Sequence, residues 1–168
     1  MKKDWENFKE SVGNLWVSNM LYMNKAMKKI VSNQTIESCD NKFNTILDNI
    51  IKKTRRIKES VIYDEDEIDE SSINFERIFK FVDDWTGYEI SCNEIRIETV
   101  MLSSNQYVTF ANMLQKMLKN KYRDKDFVVY ICLNDDYIEV RFHAYRENEG
   151  FWLNENLNMY NTPILYVR

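Results

Sequence analysis

The sequence predicts an α+β fold: a long N-terminal helical hairpin, then helices packed on one face of an antiparallel sheet. Three observations predict it. Apolar residues recur at steps of three and four through the first half of the chain. From Tyr88 onward the period changes to two. The 168 residues are 44% hydrophobic and 14% aromatic, with only three Gly and one Pro, which is material for one sizeable core. One domain is expected over 1–168, with 1–62 as the helical hairpin and 71–168 as the helix-covered antiparallel sheet.

Asp4 is a plausible N-cap, and Trp5, Phe8, Val12, Trp16, Met20, Met23, Met27 and Ile30 then form one helical stripe. Residues 32–40 are polar and read as a loop. Phe43, Leu47, Ile50, Thr54, Ile57 and Val61 continue as a second amphipathic helix, set to pack against the first. The acidic run from Asp64 to Glu70 breaks the pattern. Ser71 or Ser72 caps a third helix carrying Phe75, Ile78, Phe79, Val82 and Trp85, with Gly87 expected just past its end. Ile90 and Cys92, then Ile95, Ile97, Thr99 and Met101, alternate as strands. Ser103 opens a fourth helix with Phe110, Leu114 and Leu118 inward. Phe127 to Leu133 is apolar throughout and reads as a central strand. Tyr137 to Tyr145 alternates cleanly and pairs with it across the turn 134–136. Residues 150–153 suggest a short strand, 154–160 a helical turn, and 164–167 a last strand after Pro163.

Composition narrows the chemistry. Gly13, Gly87 and Gly150 stand alone, so no glycine-rich phosphate loop is expected, and His143 is the one histidine, which excludes multi-histidine metal sites. Cys39, Cys92 and Cys132 lack zinc-ligand spacing and suggest reduced thiols. Neither a metal nor a cofactor is expected. The N-terminus carries early charges and no signal-type apolar core, and no apolar run spans a membrane, so a cytoplasmic protein is expected.

Charge is divided along the chain. Residues 1–58 hold 12 Lys and Arg against 6 Asp and Glu, whereas 59–168 hold 11 against 21. The acidic part repels nucleic acid and attracts a basic protein. Two places are candidate partner-binding sites. The first is the run Asp64, Glu65, Asp66, Glu67, Asp69 and Glu70, read as carboxylates held out to a cationic partner or, more simply, as a solvated linker. Asp83 and Asp84 lie close by in sequence. The second is the row Tyr137, Glu139, Arg141, His143 and Tyr145, which alternation puts on one face of its strand. The simplest reading of that row is a solvent-facing strand with charged cross-strand pairs. Its chemical reading is a small metal-independent nuclease or hydrolase in which Glu139 or His143 moves protons and Arg141 stabilises negative charge. A third possibility is an adaptor or chaperone-like module working through the hairpin.

The stretch from Glu139 to Leu153, with the ending Tyr-Asn-Thr-Pro-Ile-Leu-Tyr-Val-Arg168, resembles the C-terminal parts of small cytoplasmic immunity proteins of bacterial polymorphic toxin systems, of the low-GC Gram-positive type. The resemblance covers about the last 40 residues and carries no catalytic residue over. It implies a non-catalytic protein that neutralises a cognate toxin by direct binding.

Overall fold

Phe127, Val128, Val129, Tyr130 and Ile131 are all fully buried, so the strand they form must be covered on both faces. This is β5 (Phe127–Leu133), the middle of a five-stranded antiparallel sheet in a computed structural model that describes residues 20–31 and 41–168. The strand order is β1 (Leu21–Met23), β7 (Ile164–Val167), β5, β6 (Tyr137–Ala144) and β4 (Ile95–Glu98). A separate antiparallel hairpin joins β2 (Thr54–Ile57) to β3 (Ser60–Tyr63). The helices are α1 (Lys25–Val31), α2 (Asn41–Lys53), α3 (Phe75–Val82), α4 (Trp85–Cys92) and α5 (Tyr107–Lys121).

The two sheet faces are covered differently. On one, Phe127, Val129 and Ile131 of β5 join Ile138, Val140 and Phe142 of β6 beneath α2 and α5, which contribute Phe43, Leu47, Ile50, Phe110, Leu114 and Leu118. Helices thus supply this cover, as the α+β pattern predicts. On the other face, Val128, Tyr130, Cys132, Ile164 and Tyr166 pack beneath Ile90 of α4 and the irregular segment bearing Tyr145, Phe151, Trp152, Leu157 and Tyr160. Asn24 helps to fix that segment. Its amide donates to the carbonyl oxygen of Thr162 at 2.7 Å, and its Oδ1 accepts from the backbone of Met27 and Ile164.

Several expectations for the first half need correction. The proposed helix over 5–31 does not run through its C-terminal part, because Leu21, Tyr22 and Met23 pair with Val167, Tyr166 and Leu165 as strand β1. Its portion over 1–19, and the loop expected over 32–40, lie outside the described residues. The second helix stops at Lys53 instead of reaching Val61. There Thr54 turns its hydroxyl back to the carbonyl oxygen of Ile51 at 2.8 Å, and β2 begins. A strand carries Ile57 and Val61 into the core as well as a helix would, and α2 packs on α5, so no long helical hairpin forms among the described residues.

Gly87 does not end the third helix. Asp84 caps a new helix, its Oδ1 accepting from the Gly87 amide at 2.7 Å, so 88–92 is helical where alternation suggests a strand. The glycine is required here, since a Cβ would lie 2.3 Å from the Val82 carbonyl oxygen. Residues 150–153 form no strand beyond an isolated bridge between Arg146 and Gly150. The later elements α5, β5, β6 and β7 stand where periodicity puts them.

α4 joins the two β units through side chains. Beyond the end of β4, β6 has a free edge, and the hairpin offers the free edge of β3. Glu89 of α4 and Asn93, the C-cap one turn further on, are fully buried and fill the gap between them. Glu89 accepts from the amides of Val61 at 2.6 Å and Ala144 at 2.9 Å. Asn93 accepts from the Tyr63 amide at 2.5 Å and donates to the carbonyl oxygens of Val61 and Phe142, both at 2.9 Å. These side chains do the work of an absent strand.

Replacing Asn93 by Ala strands three buried backbone groups. The expected cost is about 3 kcal/mol and a midpoint lowered by about 10 °C in a thermal melt, while Asn120→Ala on the exposed end of α5 leaves it within a degree or so. Because Phe43, Leu47, Ile50 and Val61 belong to the main core, a 63–168 fragment is expected to aggregate or to melt without cooperativity. A cooperative calorimetric transition from that fragment would contradict this.

Candidate functional site

The acidic run divides into residues that build the loop and residues that face solvent. Asp64 is buried, with its side chain only 1% exposed. It pairs with Arg55 and accepts from the Ile68 amide at 3.1 Å, while Arg55 also reaches the Ile68 carbonyl oxygen. Asp64 is therefore an internal tie and is withdrawn from the contact surface proposed from sequence. Glu65 pairs with Lys53. Asp69 caps a turn over Glu70–Ser72, and the bonds it accepts from the Ser71 hydroxyl at 2.7 Å and the Ser71 amide at 3.0 Å hold its carboxyl below the ordinary range. Asp66, Glu67 and Glu70 stand exposed. Arg55 and Asp64 thus shape a loop that displays three carboxylates.

The row on β6 is not the solvent-facing strand that alternation suggests, because α4 and 145–160 cover most of it. Tyr137 lies against the Arg96 guanidinium, 4.7 Å from ring centre to Cζ. Glu139 pairs with Arg141, which also pairs with Glu94 and donates to the Ile90 carbonyl oxygen at 2.6 Å. Tyr145 packs against Phe151 with the rings tilted at 52°, and carries the Arg168 guanidinium at 3.4 Å. His143 is fully buried and is likewise withdrawn from any contact surface. The structure does not join Glu139, Arg141 and His143 into one open constellation.

What surrounds His143 is a closed chain of polar groups. Its Nδ1 faces the Ala144 carbonyl oxygen at 2.9 Å, which can only accept, so Nδ1 is assigned the proton. Nε2 then accepts from the Tyr130 hydroxyl at 3.1 Å, and that hydroxyl oxygen accepts from the Trp152 amide at 3.2 Å. Thr86 Oγ1 lies 3.5 Å from Nδ1 and donates to Glu149 at 2.8 Å. Arg146 bridges Glu149 and Glu89, at 3.5 and 2.9 Å, and donates to the Glu59 carbonyl oxygen at 2.7 Å. Among the described residues no buried side-chain nitrogen or oxygen lacks a partner.

Burial sets the protonation of this cluster. It pushes the His143 pKa down to about 4, with the Arg146 charge acting in the same direction and the bond to Ala144 opposing it. Burial raises Glu89, against the pull of Arg146 and of the Val61 and Ala144 amides. It raises Tyr130 as well, and pushes the Cys132 thiol up to about 12. Cys92 is half-buried and also raised by burial, so neither thiol is set up as a nucleophile. Cys39 lies outside the described residues. Among the described residues no group of three or more His, Cys, Asp or Glu is placed to hold a metal ion.

A surface that the sequence reading missed lies on the helix that follows the acidic loop in the chain. None of the apolar residues of α3 is fully buried. Phe75, Ile78, Phe79 and Val82 are half-buried against Ile57, Ile62, Tyr88 and Trp85. Phe81 is 79% exposed. It falls outside the 75, 78, 79, 82 stripe, and an apolar residue off the stripe was the available signal. Phe79 meets Trp85 edge-on at 4.7 Å and Phe75 meets Trp85 at 5.5 Å, so the exposed helix rests on a packed aromatic base.

The model of the Uncharacterized protein PM0498 family matches residues 22–168. No curated protein and no solved structure matches the chain. No helix among the described residues is long and apolar enough to cross a membrane.

The depressed His143 pKa has a stability consequence. A histidine that is harder to protonate when folded stabilises the fold fully above its unfolded value of about 6.5, and this contribution is lost as pH falls toward about 4. The loss is on the order of 3 kcal/mol. Glu89, being raised, acts oppositely: its contribution is present at low pH and declines as pH rises. The difference between wild type and His143→Gln in chemical denaturation isolates the histidine, and it is expected to shrink as pH drops from about 6.5 to about 4. A pH-independent difference would contradict the assignment.

Proposed function

The chain belongs to the PM0498 family, and from that premise we propose that it is a non-catalytic protein-binding protein, an immunity protein that neutralises a basic toxin domain in the cytoplasm by direct contact. The immunity type is supported by the resemblance of residues 139–168 to such proteins. The binding mode is supported by one contrast in the structure. Glu89 and Arg146 bond to each other and to the backbone, and His143 bonds to Tyr130 and the Ala144 carbonyl oxygen, all inside the fold, whereas Asp66, Glu67 and Glu70 are held in solvent on a loop tied from within by Arg55 and Asp64. Groups that must move protons on a substrate need access to it; groups that attract a cationic partner need only exposure.

The test has two arms. Purified protein is expected to cleave neither RNA, DNA nor simple esters, with or without divalent metal. Turnover that disappears in His143→Ala would overturn the reading. The product of the adjacent reading frame is expected to form a complex with it in gel filtration. In stopped-flow mixing, changing Asp66, Glu67 and Glu70 to Ser together should slow association severalfold at low salt and flatten its salt dependence, because long-range attraction acts on the association rate over a Debye length of ~8 Å. Asp64 stays unchanged in that variant, since removing it would break the loop.

A further inference from the structure

Residues 151–153 lie on the second sheet face in neither helix nor strand. Their backbone is fastened to one side chain of the sheet. The Trp152 amide donates to the Tyr130 hydroxyl oxygen at 3.2 Å, and the Leu153 backbone donates toward the same oxygen. The Trp152 ring meets the Tyr130 ring edge-on at 5.4 Å. A phenol hydroxyl has one proton to give. Tyr130 gives its proton to His143 Nε2 at 3.1 Å, because Nδ1 keeps the imidazole proton against the Ala144 carbonyl oxygen at 2.9 Å. The direction of each bond from Ala144 to Trp152 is therefore set by one nitrogen that carries no proton.

A proton taken from solvent at Nε2 reverses the middle of this chain. Nε2 then donates, and the Tyr130 oxygen faces the imidazolium and two amides, all of them donors. Its own proton loses the acceptor it had. Among the described residues His143 is the one acceptor bonded to that hydroxyl. Turning the ring over gives no relief, since both nitrogens of an imidazolium carry protons. Thr86 Oγ1 cannot help, because it lies on the Nδ1 side and its own proton goes to Glu149. Several charged and titratable groups face the ring. Arg141 and Tyr145 flank it on β6, Arg146 and Glu149 follow that strand, Asp84 and Glu89 come from α4, and Tyr130 comes from β5. None of the carboxylates bonds to the imidazole: Glu89 and Glu149 are paired with Arg146, and Asp84 caps α4. Burial keeps the ring neutral until acid pH, against the pull of the Ala144 carbonyl oxygen and of Asp84 and with the help of Arg146.

We propose that residues 151–153 are an acid-released latch: protonation of His143 ejects the Trp152 and Leu153 amides from Tyr130 while the sheet beneath stays formed. Release is local because the neighbouring turns have ties of their own. The Gly150 amide donates to the Arg146 carbonyl oxygen at 2.7 Å, and Asn24 holds the carbonyl oxygens of Tyr160 and Thr162 at 3.3 and 2.7 Å. The ladder between β5 and β6 is made of backbone bonds and uses none of the latch side chains. Opening bares Tyr130 and the Tyr166 ring, against which Phe151 packs at 5.2 Å. The latch does not depend on the binding function proposed above.

Native-state hydrogen exchange between pH about 6.5 and about 4, read beside the His143 Cε1 proton resonance, tests this. In wild type the Trp152 and Leu153 amides are expected to exchange by a local opening, with less protection than Val129 and Ile131 of β5. Their protection should fall about tenfold or more as the imidazole resonance reports protonation, while Gly150 and Tyr160 keep theirs. In His143→Gln, whose amide does not titrate, the fall should be absent. In Tyr130→Phe the two amides should be poorly protected at both pH values. The proposal is overturned if the imidazole protonates with both amides still protected, or if they open only together with Val129 and Ile131. A fall that persists in His143→Gln, or wild-type protection in Tyr130→Phe, overturns it as well. The first two outcomes are read in wild type and need no variant to fold.

Discussion

Two side chains, Glu89 on α4 and Asn93 at its C-cap, join the β2–β3 hairpin to the main sheet. Glu89 and Asn93 lie between the open edge of β3 and the part of β6 that β4 does not reach, and they bond to backbone groups on both sides. A sheet edge left unpaired in the interior would cost on the order of 1–3 kcal/mol for each buried backbone group. With the seam closed, the β2–β3 hairpin becomes part of the main body. Ile57 and Ile62 then form the floor on which Phe75, Tyr88 and Trp85 pack. The floor beneath α3 is thereby tied to the main sheet through Glu89 and Asn93.

The same seam explains why the chemically suggestive groups are inside. Glu89 is buried as a carboxylate among donors, and Arg146 answers its charge while reaching Glu149 and the hairpin backbone at Glu59. Glu149 in turn orders Thr86 at the start of α4, next to His143. Each polar group is satisfied by the next, so the network fixes the cover of the second sheet face. A buried ion pair of this type is weak as a source of net stability, but removing one partner leaves an uncompensated charge. Its role is to specify how α4, β6 and residues 145–150 fit together.

Much of the sheet was legible in the sequence, and the reasons are physical. Phe127 to Leu133 is apolar on both faces because it is central, and Ile138, Val140, Phe142 and Ala144 alternate because β6 turns one face to the main core. The first half misled because a helix and a strand can bury the same residues: Phe43, Leu47, Ile50, Ile57 and Val61 read as one stripe, although the chain changes from α2 to β2 at Thr54. At 88–92 a local contact prevailed over alternation, since the Asp84 cap nucleates a helix that Tyr88 and Ile90 alone do not announce. Of the candidate sites, the acidic loop was visible as composition, but the tie between Arg55 and Asp64 is tertiary and leaves no spacing to read. The burial of His143 was hidden for a similar reason. The groups around it, Tyr130 of β5 and Thr86 of α4, come from distant parts of the chain and leave no spacing to read.

If α4 closes the seam as described, the amides that bond to its side chains should open only when the whole molecule unfolds. Native-state hydrogen exchange read residue by residue tests this most directly at Val61, Tyr63 and Ala144, the three amides held by Glu89 and Asn93. The account predicts that all three exchange with the free energy of global unfolding, as the amides of central β5 do. Exchange at Val61 and Tyr63 by a cheaper local opening, with β5 still protected, would show that the hairpin is a detachable unit and would contradict it.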